Sequence, residues 1–305
     1  MGDKKLPYIS VIITAYNRRN FLLNAIKSVI NQTLDKKYYE IIVINNFIDE
    51  NIDDFIIDNN IKHILLEGTI GEFLYKGVSL TNGEILVFLD DDDLFDEVKL
   101  EVVFKYFKTN NNLCYYYNAN IGMNEMYRKL NNTVGKSSVL TMSSTSIKKS
   151  ILNLDNVRKI NYAQDHFMYI SALESGHNII IGNELLTYYM FHNSVSRFYT
   201  DNINEFIKQE TLLFYRAKSA FLLFNNIFIS VKAKNYIKQQ IAFWEIFIYI
   251  FGNNKKPAHA LDILKKSTMS FSTELKIYLA YFLVRINYNL RRIIINKRFK
   301  DRDKR

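Results

Sequence analysis

Residues 84–93 read EILVFLDDDD, an apolar run that leads directly into four consecutive aspartates. The apolar part predicts a strand that is buried on both faces of a sheet. In parallel α/β sheets, ligands bind at the carboxyl ends of the strands. The position of the aspartates therefore predicts a polar site at the end of this strand.

The segments before this strand alternate between strand-like runs and helical spacing. We predict strands at 8–14 (YISVIIT), 40–45 (EIIVIN) and 61–66, and helices at 19–31 and 72–80. Shorter strands are predicted further along, at 113–118, 138–142 and 178–181, with a helix at 163–175. This alternation predicts an α/β fold with a doubly wound, mostly parallel sheet flanked by helices.

After about residue 200 the sequence shows helical patterns that are rich in aromatic residues and lysine. We therefore divide the chain into a catalytic domain, 1–200, and a helical, basic C-terminal region, 201–305. Hydrophobic residues make up 48% of the chain, which excludes wholesale disorder. The single cysteine, Cys114, excludes an internal disulfide.

The formal net charge is +9, and basic residues are concentrated between Arg291 and Arg305. A basic terminus of this kind suits an anionic membrane surface. The longest apolar stretches, 241–251 and 277–284, are shorter than the roughly 20 residues that span a bilayer. We therefore expect a cytoplasmic catalytic domain, and we hypothesise peripheral contact of the C-terminus with the inner face of the membrane.

Clustered carboxylates repel one another and favour a bound cation, and hard oxygen ligands suit Mg²⁺ or Mn²⁺. In an extended segment alternate residues point to one side, so Asp90 and Asp92 are expected to share a face. The alternative is a solvated acidic turn that caps a helix starting near Asp96.

Two stretches carry a resemblance to a known family: ISVIITAYNR at 9–18, and GEFLYKGVSLTNGEILVFLDDDD at 71–93. In order and spacing they resemble glycosyltransferase family 2, the inverting enzymes of GT-A fold, over roughly residues 8–200. The aspartates resemble the family's DXD motif. The resemblance implies a metal-dependent hexosyltransferase that uses a nucleotide-diphosphate sugar and a glycan or lipid-linked hydroxyl acceptor.

The resemblance also implies roles for individual residues. Metal ligands are expected at Asp92, Asp90 and His192. Donor-binding residues are expected at Thr14, Ala15, Tyr16, Asn17, Asn45, Lys76, Asp90, Asp91 and Arg197. Asn45 departs from the pattern, because the family usually has an aspartate there that helps to recognise the base. An asparagine carbonyl still accepts a hydrogen bond from a base N–H.

Gln164 and Asp165 open the predicted helix at 163–175. They resemble the family's Glu-Asp-like pair, which implies that Asp165 is the base that takes the proton of the acceptor hydroxyl. The alternative is that Asp165 caps the helix and is stabilised by its dipole.

Three other functions compete with this one. Nucleotidyl transfer to a sugar phosphate also uses paired aspartates, but its glycine-rich loop is missing from AYNRRN at 15–20. A nucleic-acid-binding module conflicts with acidic strand ends, which repel phosphates. A catalytically degenerate GT-A-like binding protein is consistent with Asn45, Asn46 and Gln164.

Overall fold

The structure is a computed structural model that describes residues 7–124, 129–135, 140–191, 200–252 and 290–301. The chain divides into two compact units, Met1–Phe191 and His192–Arg305. The first unit is an α/β sheet with flanking helices, and the second is helical throughout its described residues.

The described residues contain nine strands that belong to one sheet. They are β1 Ile9–Ala15, β2 Tyr39–Asn45, β3 Lys62–Leu65, β4 Ile85–Asp90, β5 Leu94–Phe95, β6 Leu113–Asn124, β7 Lys129–Gly135, β8 Thr145–Lys148 and β9 Asn178–Phe191. Their order is β3-β2-β1-β4-β8-β6-β9-β5, and β7 pairs with β6. The sheet is mixed, because β8 runs antiparallel to β4 and β6 whereas β6 and β9 are parallel.

The first four strands of this order are parallel and form the part of the sheet that the sequence predicts most directly. In their register, Thr14 lies opposite Asp90 and Ala15 lies opposite Asn45. The carboxyl ends of β1, β2 and β4 therefore meet at one edge. The predicted α/β fold with a mostly parallel, doubly wound core is confirmed.

One predicted strand is wrong. Met142–Ser144 is a 3₁₀ turn, and the strand is β8, which starts at Thr145. The Ser143 carbonyl and hydroxyl accept hydrogen bonds from Lys99 and from the backbone of Asp90. Those bonds replace the regular ladder that a strand would need. Positions 138 and 139 of the prediction lie outside the described residues.

The helices of the first unit are α1 Leu22–Ile30, α2 Glu50–Asp58, α3 Ile70–Ser79, α4 Lys99–Thr109, α5 Leu154–Val157 and α6 Gln164–Ser175. In α1 the spacing of Leu22, Ala25, Ile26 and Val29 buries one stripe in the core beside β1. Thr69 and Glu72 form a capping box that begins α3. Burial of a large apolar side chain, such as Leu22 or Ile26 of α1, contributes about 1.5 to 3 kcal/mol to the free energy of unfolding.

The described helices of the second unit are α7 Ile203–Ile227, α8 Val231–Gly252 and the basic α9 Arg291–Asp301. Their shared core contains Phe206, Phe251 and Ile295. Arg298 of α9 forms an ion pair with Glu210 at 2.6 Å. Part of the basic C-terminus is therefore committed to packing within this unit. Among the described residues, none of the helices has the length and apolar character needed to cross a membrane.

Candidate functional site

The acidic run at the end of β4 forms a turn. The Asp93 N–H donates to the Asp90 carbonyl at 3.2 Å, and Asp91 and Asp93 are each only 1% exposed. The prediction of an extended segment is therefore wrong, and so is the alternation argument that put Asp90 and Asp92 on one face. The solvated-cap alternative is also wrong, since two of the carboxylates are buried and α4 begins at Lys99.

Arg18 lies in the loop between β1 and α1 and contacts two of these aspartates. Its Nη2 pairs with Asp91 Oδ1, and its Nε donates to Asp91 Oδ2 at 3.1 Å. Its Nη1 pairs with Asp92 Oδ2. One planar guanidinium thus joins two neighbouring carboxylates, which is the geometry that arginine favours with carboxylates.

The carboxylates are held in an environment that opposes their negative charge. Burial, together with the neighbouring charges of Asp92 and Asp91, raises the pKa of Asp90 to about 8. Burial raises the pKa of Asp91 to about 7, against the opposing effect of Arg18. Burial also raises the pKa of Asp93 well above its ordinary value. A bound cation would relieve this accumulation of charge.

A buried polar network stabilises the turn at Asp90–Asp93. The Asp90 N–H donates to the Ser143 hydroxyl at 3.0 Å. Lys99 Nζ donates to the Ser143 carbonyl and, at 2.9 Å, to the Thr187 hydroxyl. Lys99, Ser143 and Thr187 are all 0% exposed. The network therefore fixes the end of β4 relative to β9 and the turn before β8.

Sequence reasoning did not identify Lys99 or Ser143. A signal for Lys99 exists, because it shares a helical face with Val103 and Phe107, both of which are buried. Burial lowers the pKa of Lys99 well below its ordinary value, and the charge of Asp93 opposes that shift. The Lys99 ammonium also lies 3.8 Å from the centre of the Phe95 ring.

The ends of β1 and β2 are joined by an asparagine pair. The Asn17 N–H donates to Asn46 Oδ1 at 2.8 Å, and Asn46 Nδ2 donates to Asn17 Oδ1 at 2.9 Å. Asn17 has a left-handed backbone with φ 57°, which asparagine tolerates better than most residues. Beside this pair, Tyr16 is 55% exposed, and its ring packs against Phe73 in a T-shaped arrangement.

Asn45 lies at the expected strand end but faces the protein interior. It is 0% exposed. Its Oδ1 lies 2.8 Å from His63 Nε2, and its Nδ2 donates to the Phe47 carbonyl at 2.9 Å. Both halves of the Asn45 amide are therefore engaged within the protein.

Of the remaining predicted donor and metal residues, the structure describes Lys76, and it lies away from this group. Lys76 is exposed in the last turn of α3. The end of that helix lies at the opposite edge of the sheet, where Lys62, the first residue of β3, donates to the Leu80 carbonyl. His192 and Arg197 lie outside the described residues.

Asp165 is the second residue of α6, and its Oδ1 accepts the His166 N–H at 2.8 Å. Its charge raises the pKa of Asp90, so the two carboxylates lie within electrostatic range of each other. Burial raises the pKa of Asp165 itself, against the opposing effect of His166. Ala163, directly before the helix, has a left-handed backbone with φ 57°, which is rare for alanine and costly.

The donor set at this edge fits a hard divalent cation. No group of three or more His, Cys, Asp or Glu side chains converges into a metal cage in the part of the chain that the structure describes. Mg²⁺ in nucleotide sites does not require one, because one or two carboxylates and the phosphates of the ligand hold it. Although the run is a turn, Asp90 and Asp92 remain the candidate pair, because the charge of Asp92 acts on the Asp90 carboxyl.

Comparison with known proteins identifies a family and a fold. The model of the glycosyl transferase family 2 matches residues 10–171. An uncharacterized glycosyltransferase of Methanocaldococcus jannaschii is 25% identical over 273 residues, which are 82% of this chain and 88% of that protein. An uncharacterized glycosyltransferase of Rickettsia bellii is 38% identical over 109 residues, but the match covers 34% of this chain and only 15% of that longer protein.

Among solved structures, Staphylococcus aureus TarS 1-349 in complex with UDP-GlcNAc has a TM-score of 0.55. It is 16% identical, and the match covers 97% of this chain and 88% of that one. At this identity the likeness concerns the fold, which is the GT-A fold that the sequence predicts. Since the family model matches more than half of the chain, the chain belongs to glycosyltransferase family 2.

Proposed function

We propose that this chain transfers a sugar from a nucleotide-diphosphate sugar to a hydroxyl group of a glycan or lipid-linked acceptor, with inversion at the anomeric carbon. The observation that carries the proposal is the meeting of the aspartate turn with the ends of β1 and β2 at one edge of the sheet. Asp165 supports the proposal further, because its negative charge raises the pKa of Asp90 and the two carboxylates therefore lie near each other.

For the donor we propose a uridine diphosphate sugar, with UDP-GlcNAc as the first compound to test, because TarS shares the fold and binds that molecule. The exposed ring of Tyr16 offers a stacking surface for the base. Thr14, Ala15 and Asn17 form the strand end and loop beside it. Asn45 reaches a ligand only by exchanging its contact with His63, so we assign the first contact to Tyr16 and Asn17.

We propose that Asp90 and Asp92 hold Mn²⁺ or Mg²⁺, with His192 as a further ligand. We also propose that Asp91 and Arg197 belong to the donor-binding site. A divalent cation held there neutralises the charge that develops on the leaving diphosphate. Because Lys76 lies in the exposed last turn of α3, we assign it no contact with this diphosphate.

In the proposed reaction the acceptor oxygen attacks the anomeric carbon from the side opposite the diphosphate. The new carbon–oxygen bond forms while the bond to the β-phosphate oxygen breaks, and the nucleoside diphosphate leaves with the electron pair. Asp165 takes the proton from the acceptor hydroxyl. A raised pKa suits this role, since a base is most effective when its pKa lies near the working pH.

Hydrolysis of the donor without an acceptor tests this proposal, because water then replaces the acceptor hydroxyl. Proton NMR would follow the GlcNAc that the wild-type chain and Asp165→Asn release from α-linked UDP-GlcNAc in Mn²⁺. We expect β-GlcNAc first, at a rate about 100-fold or more lower in the variant. The matched control is Asp155→Asn, an exposed aspartate of α5 that should behave as wild type. Release of the α anomer first, or equal rates for Asp165→Asn and wild type, would contradict the proposal.

A further inference from the structure

Arg18 pairs with a carboxylate of the acidic turn that the proposed metal site also uses. Its guanidinium contacts Asp91 through two nitrogens and Asp92 through the third. Asp92 is the carboxylate that we propose as a metal ligand. A divalent cation and the guanidinium therefore compete for the same carboxylate, that of Asp92.

The three partners differ in how much solvent they see. The Arg18 side chain is 35% exposed, the Asp92 side chain is 15% exposed and that of Asp91 only 1%. Arg18 also follows Asn17, whose backbone is held by its reciprocal bonds with Asn46. The backbone beside Arg18 is thus anchored, while its long side chain has a route into solvent and toward a ligand above the turn.

We propose that Arg18 is an internal cation that competes with the divalent metal for Asp92 and that moves to the donor diphosphate when metal and donor bind together. This inference rests on the proposed function. A metal ion close to Asp92 repels the guanidinium, and an arriving diphosphate offers it two oxygens in the fork geometry that it makes with Asp91. Metal and nucleotide then bind cooperatively, because each favours the released position of Arg18.

The proposal predicts effects of opposite sign for one substitution. In Arg18→Gln, Mn²⁺ alone should bind about fivefold or more tightly than in wild type, because its competitor is gone. UDP in saturating Mn²⁺ should bind about tenfold or more weakly, because a phosphate contact is lost. Isothermal titration calorimetry on the full chain measures both. Arg19→Gln is the matched control, since Arg19 is exposed and stacks over Phe47 instead of reaching the aspartates.

The two outcomes separate this inference from the function on which it rests. If Arg18→Gln binds Mn²⁺ no more tightly than wild type while UDP binding is intact, the competition is refuted and the transferase function stands. If neither protein binds Mn²⁺ or UDP, both proposals fail. Arg18→Lys keeps the charge without the fork and should restore the weak Mn²⁺ binding but not the full UDP affinity. If Arg18→Gln does not fold, Arg18→Lys is the variant that tests the proposal.

Discussion

The backbone N–H of Asp90 donates a 3.0 Å hydrogen bond to the hydroxyl of Ser143. The last residue of β4 is therefore fixed by a turn that lies 53 residues further along the chain. Lys99, buried at the start of α4, holds the carbonyl of the same serine. The candidate site thus depends on three separate segments, and only one of them is the acidic run itself.

Replacing Ser143 with alanine should loosen the acidic turn. The change leaves the buried Asp90 N–H without its acceptor, which costs about 1 to 3 kcal/mol in the free energy of unfolding. We also expect weaker Mn²⁺-dependent binding of UDP. Urea denaturation and calorimetry measure the two effects.

Ser146→Ala is the matched control for this change. Ser146 is equally buried, and its hydroxyl has no hydrogen-bond partner among the residues that the structure describes. Loss of the Ser146 hydroxyl should therefore leave the free energy of unfolding and the UDP affinity almost unchanged. Equal effects of the two alanine substitutions would show that the Ser143 bond has no special part in holding the turn.

Gly71, near the start of α3, fixes the segment that leads to Asp165. A Cβ at this position would lie 2.6 Å from the Arg158 carbonyl oxygen and 2.9 Å from the Ile160 nitrogen. Because backbone atoms cannot yield as a side chain does, Gly71→Ala should displace this segment and cost about 1 to 3 kcal/mol of stability. We expect donor hydrolysis to fall more than UDP binding.

Gly176→Ala provides the control for Gly71→Ala. Gly176 ends α6 with φ 72°, and a Cβ there meets nothing within 4 Å. Its cost of about 1 kcal/mol comes from backbone strain alone. If both alanine variants keep the same ratio of hydrolysis to UDP binding as wild type, Gly71 does not act through Asp165.

The pH dependence of donor hydrolysis should reflect Asp165 together with Asp90 and Asp91, whose pKa values burial also raises. A base acts only when it is deprotonated, so kcat/KM falls as the pH falls below the pKa of this carboxyl. Because burial raises that pKa, the acid limb should lie above the value of about 3.9 that is usual for aspartate. A pH profile of kcat/KM for wild type and Asp155→Asn checks this. An acid limb close to pH 4 would argue against a buried aspartate as the base.

Peripheral membrane contact is best tested on the exposed face of α9. Arg292 and Lys297 are exposed, whereas Arg298 and Ile295 pack within the helical unit. Deleting the whole helix would therefore damage that core. The double variant Arg292→Glu, Lys297→Glu should bind vesicles with anionic lipid about tenfold or more weakly, since each basic residue contributes about 1 kcal/mol. The control is Lys208→Glu on the exposed face of α7, and equal co-sedimentation of all three proteins would refute the contact.

The parallel half of the sheet could be predicted from sequence because β1, β2 and β4 are apolar runs and helical spacing follows β1 and β3, whereas α2 and α4 were not predicted. The strand ends then locate the aspartates without further information. Asp165 depended on the resemblance to a family, since a carboxylate at a helix start has an ordinary capping role. In the structure the N-cap residue Ala163 makes no side-chain cap, and the Asp165 carboxylate instead accepts the N–H of the next residue, His166.

Other features depend on contacts between distant residues and could not be read from local pattern. The bonds of Ser143 turn a predicted strand into a 3₁₀ turn, and its partners lie more than 40 residues away. The helical face that Lys99 shares with Val103 and Phe107 indicates burial, but its carbonyl partner, Ser143, lies 44 residues away in the chain. The engagement of Asn45 with His63 likewise requires the register of β2 and β3.

The central claim is that the turn at Asp90–Asp93 binds a nucleoside diphosphate through a divalent cation. Calorimetric titration of UDP into wild-type chain and Asp92→Ala, each in Mn²⁺ and in EDTA, tests it most directly, with the exposed Asp58→Ala as control. We predict binding by wild type and Asp58→Ala in Mn²⁺, with affinity at least about tenfold lower in EDTA or in Asp92→Ala, a difference of about 1.4 kcal/mol or more. Equal UDP affinity under all of these conditions would contradict the claim.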